Sequence, residues 1–123
     1  MNSYSKDLNN FNINNITIDN YIKKDLKKLD KQICKIVINF IENLQKNPKT
    51  LDNHKCKIII SKHNNIPVYF YVSFKLKHDY RIICEVLPDK QTLNIMTVGH
   101  RKNVYDVLKR RERPLQNITK CYD

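Results

Sequence analysis

The stretch that decides the fold is Thr97-Val98-Gly99-His100-Arg101-Lys102-Asn103-Val104-Tyr105-Asp106. Upstream of it the residues alternate as in a strand, so that Leu93, Ile95 and Thr97 are expected to share one face. The chain's only glycine, Gly99, lies where this alternation ends. We expect it to mark a position where φ is positive or where a side chain would clash.

A short basic helix is predicted after the glycine. Val104, Val107 and Leu108 recur at helical spacing, and Pro114 forbids continuation of the helix. The residues just past the glycine would then lie at the mouth of the sheet. There, fixed positive charge beside the phenol of Tyr105 suits a phosphate.

Two more helices are predicted in the first half of the chain. Asp19 is expected to cap a helix that has apolar residues at i, i+4 and i+7. Asp30 is expected to cap a second helix, which Pro48 ends and which has the strongest 3.6-residue periodicity in the chain. The pair forms a helical hairpin whose apolar face must be buried, most economically on a sheet.

The sheet is predicted from segments rich in β-branched and aromatic residues. Short strands are expected at residues 16–18 and 58–60, and longer ones at 68–77, 80–86 and 93–98. If residues 68–77 form one regular strand, its alternating lysines point away from the core.

Tight turns are expected between the last three strands. His78-Asp79 and Pro88-Asp89-Lys90 are too short for parallel crossovers, so the strands should be antiparallel neighbours. The predicted fold class is therefore α+β. It comprises a small, mostly antiparallel twisted sheet packed against an N-terminal helical hairpin, with a short C-terminal helix.

The 123 residues provide for one domain. Residues 1–15 are rich in asparagine and poor in apolar side chains, and we expect them to form a flexible leader. The domain should span residues 16–114, and residues 115–123 should form a frayed tail.

The charge of the chain indicates a polyanionic partner. Its 23 Lys and Arg against 12 Asp and Glu give 23 − 12 = +11, with a pI near 9.6. Nucleic acid is the first candidate, and an acidic protein or an anionic membrane surface is an alternative. No long apolar segment, lipidation signal or signal peptide is present, so we expect a cytoplasmic protein without a membrane partner.

The four cysteines do not form a Cys-x-x-Cys pair, and no carboxylate or cysteine lies at ligand spacing near His54 or His63. Reduced thiols that pack as small hydrophobic groups are therefore favoured over disulfides or zinc. No metal and no cofactor is expected.

The residues that could perform chemistry are cationic. Adjoining strands that expose Lys75, Lys77 and Arg81 near a turn bearing Arg101 would concentrate positive charge on one concave surface. Such a surface suits RNA cleavage, in which a 2′-hydroxyl attacks its own 3′-phosphate and needs a proton acceptor, charge stabilisation and a proton donor. Structural alternatives exist, since the lysines can be solvated strand residues, Arg81 can pair with Glu85 across the sheet, and Tyr105 can fill the rim of the core.

Three segments of the chain together resemble toxins of the RelE/ParE superfamily. They are Tyr21-Ile22-Lys23-Lys24-Asp25-Leu26-Lys27-Lys28-Leu29, Phe74-Lys75-Leu76-Lys77-His78-Asp79-Tyr80-Arg81 and Thr97-Val98-Gly99-His100-Arg101-Lys102-Asn103-Val104-Tyr105. The resemblance covers roughly residues 16–113. One departure is that the family usually has a glycine before its Asp-Tyr-Arg turn, where this chain has Lys77-His78.

The RelE-type branch implies a ribosome-dependent endonuclease that cuts mRNA in the A site without metal. By this resemblance, Lys75 or Lys77 is the base, Arg81 stabilises the phosphate, Arg101 stabilises or protonates the leaving oxygen, and Tyr105 orients the substrate. Further substrate-binding residues are His100, Lys102, Lys109 and Arg110. The family also implies a cognate antitoxin that covers this surface.

Two other functions remain open from the sequence. The ParE branch of the same superfamily acts on DNA gyrase as a binding poison and lacks the full basic set. The chain could also be a catalytically inactive module that binds RNA or a protein partner.

Overall fold

The computed structural model of the chain describes residues 12–54 and 56–112. The helices and strands of these residues are, in chain order, β1 (Asn15–Ile18), α1 (Tyr21–Lys27), α2 (Lys31–Lys46), β2 (Cys56–His63), β3 (Ile66–Lys75), β4 (Tyr80–Leu87), β5 (Thr92–His100) and α3 (Val104–Arg111). The expected flexible leader and frayed tail lie largely outside the described residues.

The strands form one sheet in the order β1-β5-β4-β3-β2. β1 is parallel to β5, and the other neighbouring pairs are antiparallel. The α+β class with a mostly antiparallel sheet, an N-terminal helical hairpin and a C-terminal helix is thereby confirmed. β1 begins one residue before the domain boundary that we set at residue 16, and Ile13 is also buried.

An aspartate carboxylate accepts a backbone hydrogen bond at the start of each helix of the hairpin. Asp30 Oδ1 accepts from the Ile33 N–H at 2.9 Å, which confirms the predicted cap of α2. Asp19 Oδ1 accepts from the Tyr21 N–H at 3.2 Å, although Asn20 is the residue directly before α1. After α2, Pro48–Asn53 forms a 3-10 helix.

The larger core lies between the hairpin and one face of the sheet. From α2, Val37 and Leu44 are fully buried against sheet residues such as Phe74, Ile82 and Leu93. This is the apolar face that the periodicity of α2 predicted. Burial of large aliphatic and aromatic side chains of this kind stabilises a fold by roughly 1.5–3 kcal/mol per side chain.

A second, smaller core lies on the other face of the sheet, beneath α3. Tyr69, Tyr71 and Ile83 pack there against Val104 and Leu108. The sheet is therefore covered on both faces at residues 71–74 of β3, where Tyr71, Val72 and Phe74 are all buried.

The predicted face of Thr97 is wrong because β5 contains a β-bulge. Ile83 of β4 pairs with Thr97, whereas the next residue, Cys84, pairs with Ile95, so Met96 is an extra residue. One extra residue reverses the alternation of all that follow it. Val98, instead of Thr97, consequently joins the larger core.

The expectation for Gly99 is also wrong. Its φ is not positive, and a β-carbon built on it would meet the Val104 side chain at 3.7 Å, an ordinary contact distance. Gly99 lies within β5, and the chain leaves the sheet only after His100.

Candidate functional site

Three predicted catalytic side chains lie near one another on the α3 side of the sheet. Lys75, the last residue of β3, is paired directly with Arg81 of β4. Ser73 is two residues before Lys75 and therefore shares its face. The Ser73 Oγ lies 3.2 Å from the Tyr105 hydroxyl, and either group can be the donor. We call Ser73, Lys75, Arg81 and Tyr105 the basic surface.

α3 positions the phenol of Tyr105. Val104 and Leu108 are buried in the smaller core and hold the helix against the sheet. The adjacent Tyr105 is half-buried at the edge of that core, where its hydroxyl reaches β3. Lys109 is exposed one helical turn further on.

Lys77 is not part of a strand, in contrast to the regular strand considered for residues 68–77. β3 ends at Lys75, and Lys77–Asp79 forms a 3-10 turn in which Lys77 is exposed. The Leu76 N–H donates to the Tyr80 carbonyl at 2.8 Å and closes the turn. Lys77 therefore lies beyond the sheet, next to the basic surface in sequence and accessible to solvent.

Arg101 is held against the same turn. Its N–H donates to the Asp79 carbonyl at 2.9 Å, and its Nε lies 3.9 Å from Asp79 Oδ2. Both side chains are about half exposed, at 56% and 50%, so the ion pair is weak. These contacts bring Arg101 beside the segment that leads into Arg81, although the two residues are remote in the chain.

His100 does not face the basic surface. Its ring lies edge-on to that of Tyr80, with the centroids 5.5 Å apart, and its Nδ1 accepts from the Lys102 N–H at 3.2 Å. Tyr80 packs against the larger core, so His100 is on the hairpin side of the sheet. The structure thus divides the predicted substrate-binding residues between two places.

The second place is a cleft of about 570 Å³ between α1, the end of β5 and α3. Its cationic lining residues include Lys24, Lys28 and Arg110, with His100 and Asn103 at the end of β5 and the start of α3. We call it the α1–α3 cleft. Of the predicted site residues, His100 and Arg110 line it, whereas the five predicted catalytic residues do not.

A buried ion pair that the sequence analysis missed joins the walls of the cleft. Arg111 donates through Nη2 to Asp25 Oδ1 at 2.6 Å and through Nη1 to Oδ2 at 2.8 Å. The two side chains are only 11% and 6% exposed. Asp25 Oδ2 also accepts from the Val98 N–H at 3.0 Å, which ties β5 to α1. A signal existed in the sequence, because Asp25 lies three residues after Ile22 on the apolar side of α1, where a carboxylate needs a partner.

The described cysteines Cys34 and Cys84 are free thiols. Burial raises the pKa of the Cys84 thiol, so it stays protonated and packs as a hydrophobic group. Within residues 12–54 and 56–112 no group of three or more His, Cys, Asp or Glu residues could hold a metal ion. None of the helices described there has the length and apolar content needed to cross a bilayer.

A family model for the ParE toxin of type II toxin-antitoxin systems (parDE) matches residues 16–105. The chain belongs to the ParE toxin family. This match confirms the RelE/ParE superfamily that the three motifs indicated and implies a cognate antitoxin as partner. No curated protein matches the chain significantly.

The region matched to the ParE toxin family runs from β1 to the first turn of α3 and includes all five predicted catalytic residues. Arg110 and Arg111 lie beyond this matched region. Arg110 lines the α1–α3 cleft, and Arg111 forms the buried ion pair with Asp25.

Proposed function

We propose that this ParE-family toxin is an endoribonuclease that cuts mRNA in the ribosomal A site and thereby stops translation. The observation that carries the proposal is the basic surface, where Lys75 is paired with Arg81 and the Tyr105 phenol lies over the neighbouring Ser73. On this face Lys75 is exposed, and Arg81 and Tyr105 are half-buried.

The proposed reaction is a transesterification. The ribose 2′-hydroxyl loses its proton to Lys75 or Lys77 and attacks the adjacent phosphorus, and the bond from phosphorus to the 5′-oxygen of the next nucleotide breaks. The products are a 2′,3′-cyclic phosphate and a 5′-hydroxyl end. Arg81 stabilises the charge that develops on the phosphate oxygens, and Arg101 stabilises or protonates the leaving oxygen. Tyr105 orients the substrate.

Arg101 is free to take this part because its carboxylate partner is solvent-exposed. The contact of 3.9 Å to Asp79 is long for an ion pair. Exposed pairs of this kind contribute about 0–1 kcal/mol, so a phosphate can replace Asp79 as the partner of the guanidinium.

Cleavage can be tested by primer extension on mRNA that is being translated in a cell-free system. The wild-type protein should produce cuts at defined positions within codons. Replacing Arg81 by Ala should slow cleavage roughly 10²–10³-fold, as expected when one stabilising donor is lost. Replacing Lys75 by Ala should slow it by roughly 10²–10⁴-fold if Lys75 is the base.

Lys35→Ala is the matched control, because Lys35 is an exposed cation on α2, on the opposite side of the sheet from the basic surface. It should cut mRNA like the wild type. An absence of cuts by the wild type, or equal cutting by Arg81→Ala and the wild type, would refute the proposal.

A second candidate is a toxin that binds and poisons DNA gyrase, and the match to the ParE family favours it. This candidate predicts gyrase-dependent DNA breaks with intact translated mRNA. The same proteins assayed with gyrase and supercoiled DNA separate the two functions. A protein that does neither would be an inactive binding module of this fold.

A further inference from the structure

The α1–α3 cleft contains a set of cations that the proposed reaction does not use. Lys24 on α1 and Lys28, the residue directly after α1, lie one turn apart and are both exposed. Arg110 of α3 faces them from the other wall and is also exposed. No carboxylate in residues 12–54 and 56–112 forms an ion pair with any of these three side chains.

The negative charge at the cleft is already neutralised. Asp25 is the one acidic residue among the described lining residues, and Arg111 holds both of its carboxylate oxygens. The cleft therefore presents an uncompensated positive charge to whatever enters it, which favours an anionic ligand.

The floor of the cleft is poorly suited to an added peptide strand. β1 pairs with β5 only as far as Ile95, which leaves the following part of β5 without a neighbouring strand on that side. Two backbone groups there are occupied, however, because the Val98 N–H donates to Asp25 and the Met96 carbonyl accepts from Arg111. An incoming strand would have to displace the buried ion pair, so the ligand is expected to bind through side chains instead.

The end of the cleft offers groups that suit a nucleotide. Asn103 precedes α3, and its side chain makes no capping hydrogen bond. The rings of Tyr80 and His100 line the same end and offer aromatic surface against which a base can pack. The volume of about 570 Å³ is within the range of small-ligand sites.

We propose that the α1–α3 cleft is a second phosphate-binding subsite, which holds a nucleotide of the single-stranded RNA that flanks the cleaved bond. The assignment of this strand as substrate rests on the proposed function. His100 lines the cleft, and Arg101 follows it directly as the first residue of the turn at residues 101–103. An RNA strand that crosses this turn would engage Arg101 and the cleft with neighbouring phosphates.

The test measures binding without cleavage. Fluorescence anisotropy of a short, labelled 2′-O-methyl oligoribonucleotide is recorded with the full chain from about 50 to 200 mM salt. This probe has no free 2′-hydroxyl, so its binding does not depend on the nuclease proposal. The double variant Lys24→Ala/Lys28→Ala should bind roughly tenfold or more weakly at the lowest salt, and its log K against log salt slope should be less steep by about 1.4.

Lys31→Ala/Lys35→Ala is the matched control, because it also removes two exposed lysines one turn apart, on α2 and outside the cleft. It should retain the wild-type affinity and slope. Thermal unfolding of both variants checks that they fold. The inference is overturned if the wild type does not bind the probe, or if the cleft variant and the control bind it equally.

A parallel titration with an acidic amphipathic peptide addresses the other class of ligand. Loss of peptide binding with retained RNA binding in the cleft variant would show a protein-docking site and would also overturn the inference. Primer extension separately reports the proposed function. Cuts by the wild type together with unchanged RNA binding by the cleft variant would reject the subsite alone.

Discussion

At the scale of single residues, Gly99 neither has a positive φ nor avoids a clash, which are the usual reasons for a lone glycine. It lies in extended backbone, and a β-carbon there would touch Val104 at an ordinary distance of 3.7 Å. We therefore predict that Gly99→Ala folds normally, with a free energy of unfolding within about 1 kcal/mol of the wild type, since added methyl contact and reduced chain entropy offset any small crowding. Urea unfolding measures this, and a loss of several kcal/mol would show that the site is tighter than this geometry.

His78 has the positive φ that we expected at Gly99. Its φ is 60°, and that of Asp79 is 63°, in the turn before Tyr80 and Arg81. Where the family usually has a glycine, this chain therefore has a histidine in the left-handed region. That backbone conformation costs a residue with a side chain roughly 1–2 kcal/mol.

Replacing His78 by Gly should raise the free energy of unfolding by up to about 1 kcal/mol, because the relief of strain exceeds the greater chain entropy of glycine in the unfolded state. The matched variant is Lys77→Gly, because φ at Lys77 is not positive. It should lower stability instead. If both variants were destabilised equally in urea, backbone strain at His78 would not be the cause.

At the scale of elements, the Asp25–Arg111 pair fixes α3 to α1 and β5. Arg111 also donates to the Met96 carbonyl at 3.0 Å, and its guanidinium lies 4.5 Å from the centre of the Tyr21 ring. One side chain thus joins α3 to the bulged part of β5 and to α1. The position of Tyr105 on the basic surface depends on how this helix is held.

Arg111→Ala should lower the free energy of unfolding by about 3–5 kcal/mol, because it leaves the Asp25 carboxylate buried without its partner. The neighbouring exposed residue provides the control, since Arg110→Ala removes the same charge and should cost less than about 0.5 kcal/mol. In the double variant Asp25→Ala/Arg111→Ala the loss should be smaller than the sum of the single losses. Strict additivity in urea unfolding would argue against direct coupling.

At the scale of the whole molecule, the two layers that cover the sheet bury acidic groups on both of its faces. Cys84 lies in the larger core, and burial raises the pKa of its thiol. Tyr71 lies in the smaller core, where burial and the Glu112 carboxylate raise the pKa of its phenol. The Tyr71 hydroxyl donates to Glu112 Oε2 at 3.1 Å.

Stability should therefore fall in alkaline solution. The unfolded chain releases these protons at a lower pH than the folded protein does. Both groups therefore contribute fully to the free energy of unfolding below about pH 8.5. As the pH rises, the contribution of the thiol is lost first, and that of the phenol is lost above about pH 10. Each group should contribute a slope of about 1.4 kcal/mol per pH unit in its range. Urea unfolding under reducing conditions from neutral to alkaline pH measures the loss.

Cys84→Ala provides the comparison for the thiol. It should be less stable at neutral pH, because it leaves a cavity, but should lose less stability between about pH 8.5 and 10 than the wild type. Cys34→Ala, at a half-buried position on α2, should keep the wild-type slope if Cys84 is responsible. Identical alkaline slopes in Cys84→Ala and the wild type would refute this assignment.

Much of the fold was predictable because its signals are local. The apolar period of α2 and the Asp30 cap depend on residues within a few turns of one another, and both are found as predicted. The short connections after β3 and β4 required antiparallel neighbours. The motif segments around Lys75, Arg81 and Tyr105 identified the superfamily, although no local pattern shows what their side chains contact.

The amino-acid sequence by itself determined the elements, the class of fold and the toxin family, because periodicity, capping and turn chemistry operate over short distances along the chain. Only the tertiary structure decided the bulge at Met96, the extended backbone of Gly99, the buried pair of Asp25 with Arg111 and the separation of His100 from the basic surface. These features depend on contacts between residues far apart in the chain. Such contacts arise when α1 and α3 close around the end of β5, and periodicity does not encode them.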